Sequence, residues 1–133
     1  MNAKKILVIE DDDFTQRLIA DSLKSAGYEV ATARDGATAV KMVREFQPDL
    51  VTLDVHLASQ SPDDSWDGFG VVNWLRRFNQ GRLHLRIVVI SALEPNKIIE
   101  KAAAIGAHTL LPKPFTKQKL LDAVADALES GGD

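Results

Sequence analysis

Residues 6–13 have the sequence ILVIEDDD, in which four apolar residues are followed directly by four acidic ones. An unbroken apolar run rich in β-branched residues is typical of a strand that is covered on both faces of a parallel sheet. Acidic residues after such a strand often cap a helix, so the segment predicts a strand, a short connection and a helix. Apolar residues of that helix, which the spacing places on one helical face, are Phe14, Leu18, Ile19 and Leu23.

The same strand-and-helix unit recurs along the chain. Further short apolar runs predict strands at residues 28–32, 50–53, 87–90 and 110–111. Helical patterns separate them, including one that follows Asp35 and ends before Pro48, and a last one from about Thr116 to Glu129. Five such units predict an α/β domain with a five-stranded parallel sheet and helices on both faces.

Length and composition narrow the class of protein. The 133 residues correspond to a single domain, 1–133, with a disordered tail expected at 130–133. A net charge of -3 gives no reason to expect nucleic-acid binding, and the absence of cysteine excludes disulfides and thiolate zinc sites. No apolar run approaches the roughly 18 residues of a membrane span. We therefore expect a cytoplasmic protein with no membrane partner.

Polar side chains stand where the predicted strands end, and they are Glu10, Asp11, Asp54, Ser91 and Lys113. Ligands of open α/β sheets bind at the carboxyl ends of the strands, which places these residues together. Singly, each has an ordinary structural explanation as a helix cap, a turn residue or a solvated lysine. Their joint placement at one edge of the sheet is what favours a functional site.

The chemistry of this set suits phosphoryl transfer. Crowded carboxylates repel one another unless a cation intervenes, and Mg²⁺ takes one or two carboxylates together with water and phosphate. A carboxylate can also attack phosphorus and form an aspartyl phosphate, whose transferring group a metal ion and a lysine would stabilise.

Five segments together carry a family resemblance, and they are ILVIEDDD at 6–13, PDLVTLDV at 48–55, DGF at 67–69, IVVISA at 87–92 and GAHTLLPKPF at 106–115. In this order they resemble the receiver domains of bacterial response regulators over essentially the full chain. The resemblance implies a flavodoxin-like three-layer (βα)5 fold with strand order 2-1-3-4-5. It also implies Mg²⁺, or Mn²⁺ in its place, as the cofactor.

The resemblance assigns a metal site and a phosphoacceptor by position. Asp54 falls on the phosphorylated aspartate and also on a metal ligand. Asp11 falls on a direct ligand of Mg²⁺, Glu10 on an acid that holds the metal through water, and His56 on a backbone carbonyl ligand.

Three further positions complete the implied site. Ser91 falls on the hydroxyl residue that turns toward the phosphoryl group, and Lys113 on the lysine that pairs with it. Pro114 follows the lysine, and in this family the bond between the two is usually cis.

The implied function is signalling rather than turnover of a separate substrate. A phosphohistidine on a histidine kinase or histidine phosphotransfer protein donates a phosphoryl group to Asp54, and the domain catalyses only its own phosphorylation and dephosphorylation. The new charge shifts the surface formed by the fourth helix, fifth strand and fifth helix, which changes binding of a downstream protein effector. The chain is expected to be a monomer or a phosphorylation-linked dimer, and to bind no nucleic acid itself.

Two features depart from the common pattern of the family. Leu110 stands where an aromatic residue is usual, and a leucine cannot supply a phenol hydrogen bond to the switch. The loop 57–66 is about six residues longer than usual. It is either a tolerated surface insertion or a lid in which Trp66 contacts a partner.

Two rival functions remain open at this point. Asp11, Asp13 and Thr15 also match the D-x-D-x-T motif of haloacid-dehalogenase-like phosphatases, in which Asp11 would be the nucleophile and Asp13 the acid/base. A pseudo-receiver, a binding module that is never phosphorylated, is the second rival. Labelling of Asp54 by acetyl phosphate separates the receiver from both.

Overall fold

The computed structural model describes residues 3–55, 86–92, 99–100, 103 and 107–130. Its strands are β1 (Lys5–Ile9), β2 (Glu29–Ala33), β3 (Leu50–Val55), β4 (Arg86–Ser91) and β5 (Thr109–Pro112). The helices bounded within these residues are α1 (Asp13–Ser25), α2 (Gly36–Phe46) and a C-terminal helix (Lys117–Ser130). All five predicted strands and the first, second and last predicted helices are therefore present.

The strands form one parallel sheet in the order β2-β1-β3-β4-β5, which confirms the expected order 2-1-3-4-5. In its middle, Val8, Thr52 and Val88 lie side by side on three neighbouring strands. The order reverses at β1, whose neighbours are β2 on one side and β3 on the other. A crevice opens at the carboxyl ends of strands at such a reversal. Glu10 and Asp11, which follow β1, lie at this end of the sheet.

Apolar side chains cover the sheet on both faces, because successive residues of a strand point to opposite sides. Along β1, Leu7 and Ile9 join a cluster with α2, whereas Ile6 and Val8 join a second cluster with α1 and the C-terminal helix. The central strands are buried on both faces, as their unbroken apolar runs predict. The result is the expected three-layer α/β fold.

The prediction that four apolar residues of α1 share one face is wrong for Phe14 and Leu18. Ile19 and Leu23 are buried against the sheet, but Phe14 is 78% exposed and Leu18 is 50% exposed. Five residues separate Phe14 from Ile19, which turns the helix by about 140° and carries Phe14 away from the core. An apolar strip of α1 therefore faces outward.

The helix ends follow the capping signals of the sequence. Asp12, rather than Asp13, caps α1 by accepting a hydrogen bond from the backbone N–H of Thr15 at 2.8 Å. Gly27, just after α1, has a φ of 97°, which a glycine adopts without strain. The C-terminal helix includes Ser130, which the sequence had assigned to the tail.

Asp35 caps α2, and we expect its removal to weaken the domain in a pH-dependent way. Its Oδ1 accepts from the backbone N–H of Thr38 at 2.7 Å, and that hydrogen bond above all holds the pKa of Asp35 below its ordinary value of 3.8. Asp35→Ala should lower the free energy of unfolding by about 0.5–1 kcal/mol at pH 7. The cap stabilises above pH 3.8 and its contribution disappears as pH falls through the lowered pKa, so the deficit should vanish in acid.

Urea unfolding of both proteins between pH 7 and pH 3 measures this difference. Asp126→Ala is the matched control on the C-terminal helix, where Asp126 is exposed. Alanine is the better helix former there, so that change should not destabilise the protein. A deficit for Asp35→Ala that grows on acidification would contradict the assignment of the cap.

Several sequence-based expectations fall outside the described residues, including the third predicted helix, the DGF segment, His56, Trp66 and the tail residues 131–133. Of the fourth predicted helix, Ile99, Glu100 and Ala103 are described, and they are helical. Within the described part of the chain, no helix has the length and apolar character needed to cross a membrane.

Candidate phosphoryl-transfer site

Three of the five sequence-predicted site residues are buried at the carboxyl edge of the sheet. Glu10 follows β1 and is 2% exposed, Asp54 lies within β3 at 7% exposure, and Ser91 ends β4 with no exposed surface. The register places Asp54 beside Ile90 and the next pair is Val55 with Ser91, so the acid and the hydroxyl residue belong to adjacent strands. The sequence predicted that β3 stops before Asp54, but the strand continues to Val55.

The ammonium group of Lys113 lies close to both buried acids of this edge. Its Nζ lies 2.5 Å from Oδ2 of Asp54 and 3.6 Å from Oε1 of Glu10. Its backbone N–H donates to the carbonyl of Ser91 at 2.8 Å, which fixes the start of the lysine's loop against the end of β4. The predicted cis bond between Lys113 and Pro114 is present.

Burial makes the charge balance of these groups important. The carboxylates of Glu10 and Asp54 are 0% and 1% exposed, whereas the side chain of Lys113 is 22% exposed. Buried carboxylates are costly without a nearby cation, and the ammonium group of Lys113 supplies one positive charge against two negative ones. Asp11, which is exposed at the same edge, adds a third carboxylate. Carboxylate oxygens grouped in this way are a donor set that suits a further cation.

The donors at this edge fit Mg²⁺ better than a transition metal. Carboxylate oxygens are hard ligands, and Mg²⁺ binds through one or two of them while keeping several waters. Among the described residues, no group of three or more Asp, Glu, His or Cys side chains is close enough to enclose a metal ion. That finding is compatible with Mg²⁺ because its remaining ligands are water and phosphate oxygens, and His56, the expected carbonyl ligand, lies outside the described residues.

The neighbouring acids have structural roles instead. Asp12 caps α1 and also accepts a hydrogen bond from the hydroxyl of Thr15 at 2.7 Å, and its backbone N–H donates to Oε2 of Glu10 at 3.0 Å. The carboxylate of Asp13 pairs with Arg34 at 2.9 Å on the outer surface. The carboxylate of Asp13 is thus paired with Arg34 on the outer surface, and this pairing does not favour an acid/base role in the phosphatase motif.

A pocket that the sequence did not predict opens beside the site. It has a volume of about 390 Å³ and is lined by Thr15, Leu18, Ala92, Lys113, Pro114 and Phe115. Lys113 connects this pocket to Asp54, and Leu18 of the exposed strip of α1 is one of its lining residues. The apolar Phe115 directly after the Lys-Pro pair was the one signal in the sequence that could have indicated it.

Leu110, at the atypical switch position, is half-buried and packs against the cluster that α2 forms with the sheet. It lies in β5 beside Val89 of β4, two residues before Ser91. The switch position is thus occupied by an aliphatic side chain that packs against the core.

The fold and this edge together define a doubly wound α/β domain with buried acids and a lysine where its strands end, and comparisons with known proteins identify its family. The family model for the response regulator receiver domain matches residues 6–125. The chemotaxis protein CheY of Bacillus subtilis (strain 168) is 32% identical over 127 residues, covering 95% of this chain and 98% of that protein. The polar-differentiation response regulator DivK of Brucella anthropi is 25% identical over 125 residues, covering 94% and 96%.

A solved structure agrees with the sequence relatives. That of the Vibrio cholerae chemotaxis protein CheY4 superimposes with a TM-score of 0.81 at 26% identity, covering 95% of this chain and 99% of the other. The chain belongs to the response regulator receiver domains of two-component signal transduction, of the CheY-like kind. Such domains are signalling modules that interact with kinases and effectors, and they generally bind Mg²⁺.

Proposed function

We propose that Asp54 accepts a phosphoryl group from a phosphohistidine of a histidine kinase or histidine phosphotransfer protein, in a reaction that depends on Mg²⁺. The observation that carries the proposal is the contact of 2.5 Å between Nζ of Lys113 and Oδ2 of Asp54, at a buried sheet edge that also contains Glu10. A lysine at position 113 contacts the carboxylate of Asp54, which is the nucleophile. It would remain close to the phosphorus atom while Asp54 attacks it. The chain belongs to the response regulator receiver domains, which supports this assignment.

The transfer exchanges one bond for another. A carboxylate oxygen of Asp54 bonds to phosphorus while the bond between phosphorus and the histidine nitrogen breaks, and the nitrogen leaves with the electron pair. Bound Mg²⁺ would offset charge on the phosphoryl oxygens, and Glu10, Asp11, Asp54 and the carbonyl of His56 are the residues proposed to hold it. Lys113 then pairs with the phosphoryl group, since Asp54 no longer carries its own negative charge.

The phosphorylated state would be reported through β4 and β5. The hydroxyl of Ser91 would donate to a phosphoryl oxygen, and the Ser91 carbonyl already accepts from the backbone N–H of Lys113. A shift of Ser91 toward the phosphoryl group is therefore transmitted to the end of β5. Because Leu110 has no ring or hydroxyl to follow Ser91, the output depends on repacking of an aliphatic side chain.

The pocket beside Lys113 offers the donor an approach to Asp54. Leu18, which lines this pocket, is an exposed large apolar side chain, as is Phe14 one helical turn before it, and grouped apolar side chains at the surface mark interaction sites. We infer that the donor surrounds its phosphohistidine with apolar side chains that pack against Leu18 and Phe115.

Incubation with acetyl phosphate and Mg²⁺ tests the proposal without a named kinase. We expect the intact mass to increase by one phosphoryl group, the modification to be lost on treatment with hydroxylamine as an acyl phosphate is, and EDTA to prevent it. A panel of autophosphorylated histidine kinases and phosphotransfer proteins then identifies donors. Absence of labelling under all these conditions would favour the pseudo-receiver, and steady hydrolysis of a generic phosphomonoester would favour the phosphatase.

A further inference from the structure

The acidic segment 10–12 between β1 and α1 is held by two side chains that the family motifs do not include. Nε2 of Gln16, on the first turns of α1, donates to the carbonyl of Glu10 at 3.0 Å and to that of Ala33 at 3.4 Å. Arg34, just after β2, donates from Nη2 to the carbonyl of Asp11 at 3.4 Å. The ends of β1 and β2 are thereby tied to α1 around the two acids.

Arg34 is itself fixed by a second contact. Its Nη1 lies 2.9 Å from Oδ1 of Asp13, so one guanidinium group bridges the first residue of α1 and the acidic segment. The ion pair is exposed, at 61% for Arg34 and 69% for Asp13. Exposed ion pairs contribute little to stability, so we expect this bridge to add little to the free energy of unfolding.

We propose that Gln16 and Arg34, which we call the acid-loop clamp, are positioning residues that set the affinity of this domain for its divalent cation. The inference rests on the proposed Mg²⁺ site at Glu10 and Asp11. It adds to that site two residues that touch neither the metal nor the phosphoryl group. They act on the backbone of the ligands and so determine where the carboxylates point.

The position of the carboxylate ligands has a direct effect on the affinity for Mg²⁺. Mg²⁺ requires near-ideal octahedral geometry at short distances, so an unrestrained ligand loop must lose conformational freedom each time the ion binds. Asp11 is exposed and lies outside both β1 and α1, and its carbonyl is one of the groups that Arg34 contacts. Residues that orient metal ligands typically change metal affinity about 10–100-fold when they are mutated.

Gln16 and Arg34 can restrain the acidic segment without competing with the cation for its carboxylates. Gln16 is half-buried and neutral, so it restrains the carbonyls without neutralising the carboxylates that attract the cation. The positive charge of Arg34 would by itself repel a nearby cation, but the carboxylate of Asp13 offsets it. The guanidinium fork is suited to this bridge because it directs two N–H groups to two acceptors, which the single ammonium group of a lysine does not reproduce.

Direct binding of Mn²⁺, followed by electron paramagnetic resonance and competed with Mg²⁺, measures the proposed effect without any phosphorylation. We expect Gln16→Met to weaken binding by about tenfold. Arg34→Lys should weaken it several-fold, because the charge is kept and the bridge is lost. Matched controls are Gln118→Met and Arg17→Lys, at exposed positions outside the acidic segment 10–12, and they should bind as the wild type does. Thermal unfolding in EDTA shows whether each variant is folded, and Gln16→Asn, too short to reach both carbonyls, replaces Gln16→Met if the latter is not.

A kinetic measurement separates positioning from a general structural role. The Mg²⁺ concentration that gives half the maximal rate of labelling by acetyl phosphate should rise in the clamp variants, while the rate at saturating Mg²⁺ stays unchanged. Unaltered cation affinity in folded Gln16→Met and Arg34→Lys would overturn the proposal. So would tighter binding in Arg34→Gln together with wild-type binding in Arg34→Lys, because Arg34 would then act only through its charge. A wild-type protein that binds neither cation would instead refute the metal site of the proposed function.

Discussion

Replacing Asp54 by asparagine is expected to abolish phosphorylation by acetyl phosphate and by any phosphohistidine donor. Asparagine keeps the size and planarity of the side chain, but its neutral amide is a far weaker nucleophile than a carboxylate. The mass increase of one phosphoryl group seen for the wild type should be absent at every Mg²⁺ concentration. Intact-mass spectrometry and transfer from a radiolabelled donor are the two measurements.

The matched control is Asp126→Asn, which makes the same chemical change at an exposed position of the C-terminal helix. It should be labelled as the wild type is. Circular dichroism should show both variants folded, since β3 keeps its apolar residues on both faces of the sheet. Stoichiometric labelling of Asp54→Asn would mean that another residue accepts the phosphoryl group, and the proposed role of Asp54 would be refuted.

Replacing Lys113 by methionine should damage both chemistry and stability. Without the ammonium group, nothing from residue 113 would offset the charge on the transferring phosphoryl group, and loss of one such group typically slows transfer by about 100-fold or more. The same change leaves the carboxylates of Glu10 and Asp54, which are 0% and 1% exposed, without the positive charge of Lys113. Methionine is close to lysine in length, so the packing of the aliphatic stem is largely retained.

The stability loss should depend on metal. Breaking a buried ion pair by removing one partner costs about 3–5 kcal/mol, and partial exposure of Lys113 reduces this to on the order of 2 kcal/mol. Mg²⁺ that binds the folded state should recover part of the loss, since the ion supplies positive charge to the same carboxylates. Urea unfolding in EDTA and in Mg²⁺ measures both quantities.

Lys119→Met is the matched control, because Lys119 is exposed on the C-terminal helix. It should leave labelling unchanged and alter stability only slightly, with no dependence on Mg²⁺. Equal stability of Lys113→Met and the wild type in EDTA would show that Lys113 does not compensate the buried acids. The contact of 2.5 Å between Lys113 and Asp54 would then have no energetic meaning.

Local pattern in the sequence determined most of the architecture. The unbroken apolar runs at 6–9 and 87–90 predicted strands buried on both faces, and Ile6, Leu7, Ile87 and Ile90 are all fully buried. A helical pattern that follows Asp35 predicted the second helix, and Asp35 caps that helix in the structure. These features are readable because each depends on residues only a few positions apart.

The site was predicted as a set of residues, but its geometry was not. Asp54 and Lys113 were placed at the same edge because both follow strands of one parallel sheet. That Lys113 contacts Asp54, which lies 59 positions earlier in the chain, is a property of the folded sheet alone. The same holds for Arg34, which belongs to no motif and contacts the acidic segment because β2 lies beside β1. Gln16 also belongs to no motif, but its contact with Glu10 is made from the first turns of the helix that follows.

The stretch ILVIEDDD by itself determined a buried strand, a capped helix and a group of acids at the end of a sheet. Only the tertiary structure decided the role of each acid. Glu10 lies buried near Lys113, Asp12 caps α1 and Asp13 pairs with Arg34. It also decided that Phe14 and Leu18 face outward. The physical reason is that strand and helix formation depend on neighbours in the chain, whereas charge pairing and exposure depend on which distant elements the packed layers bring together.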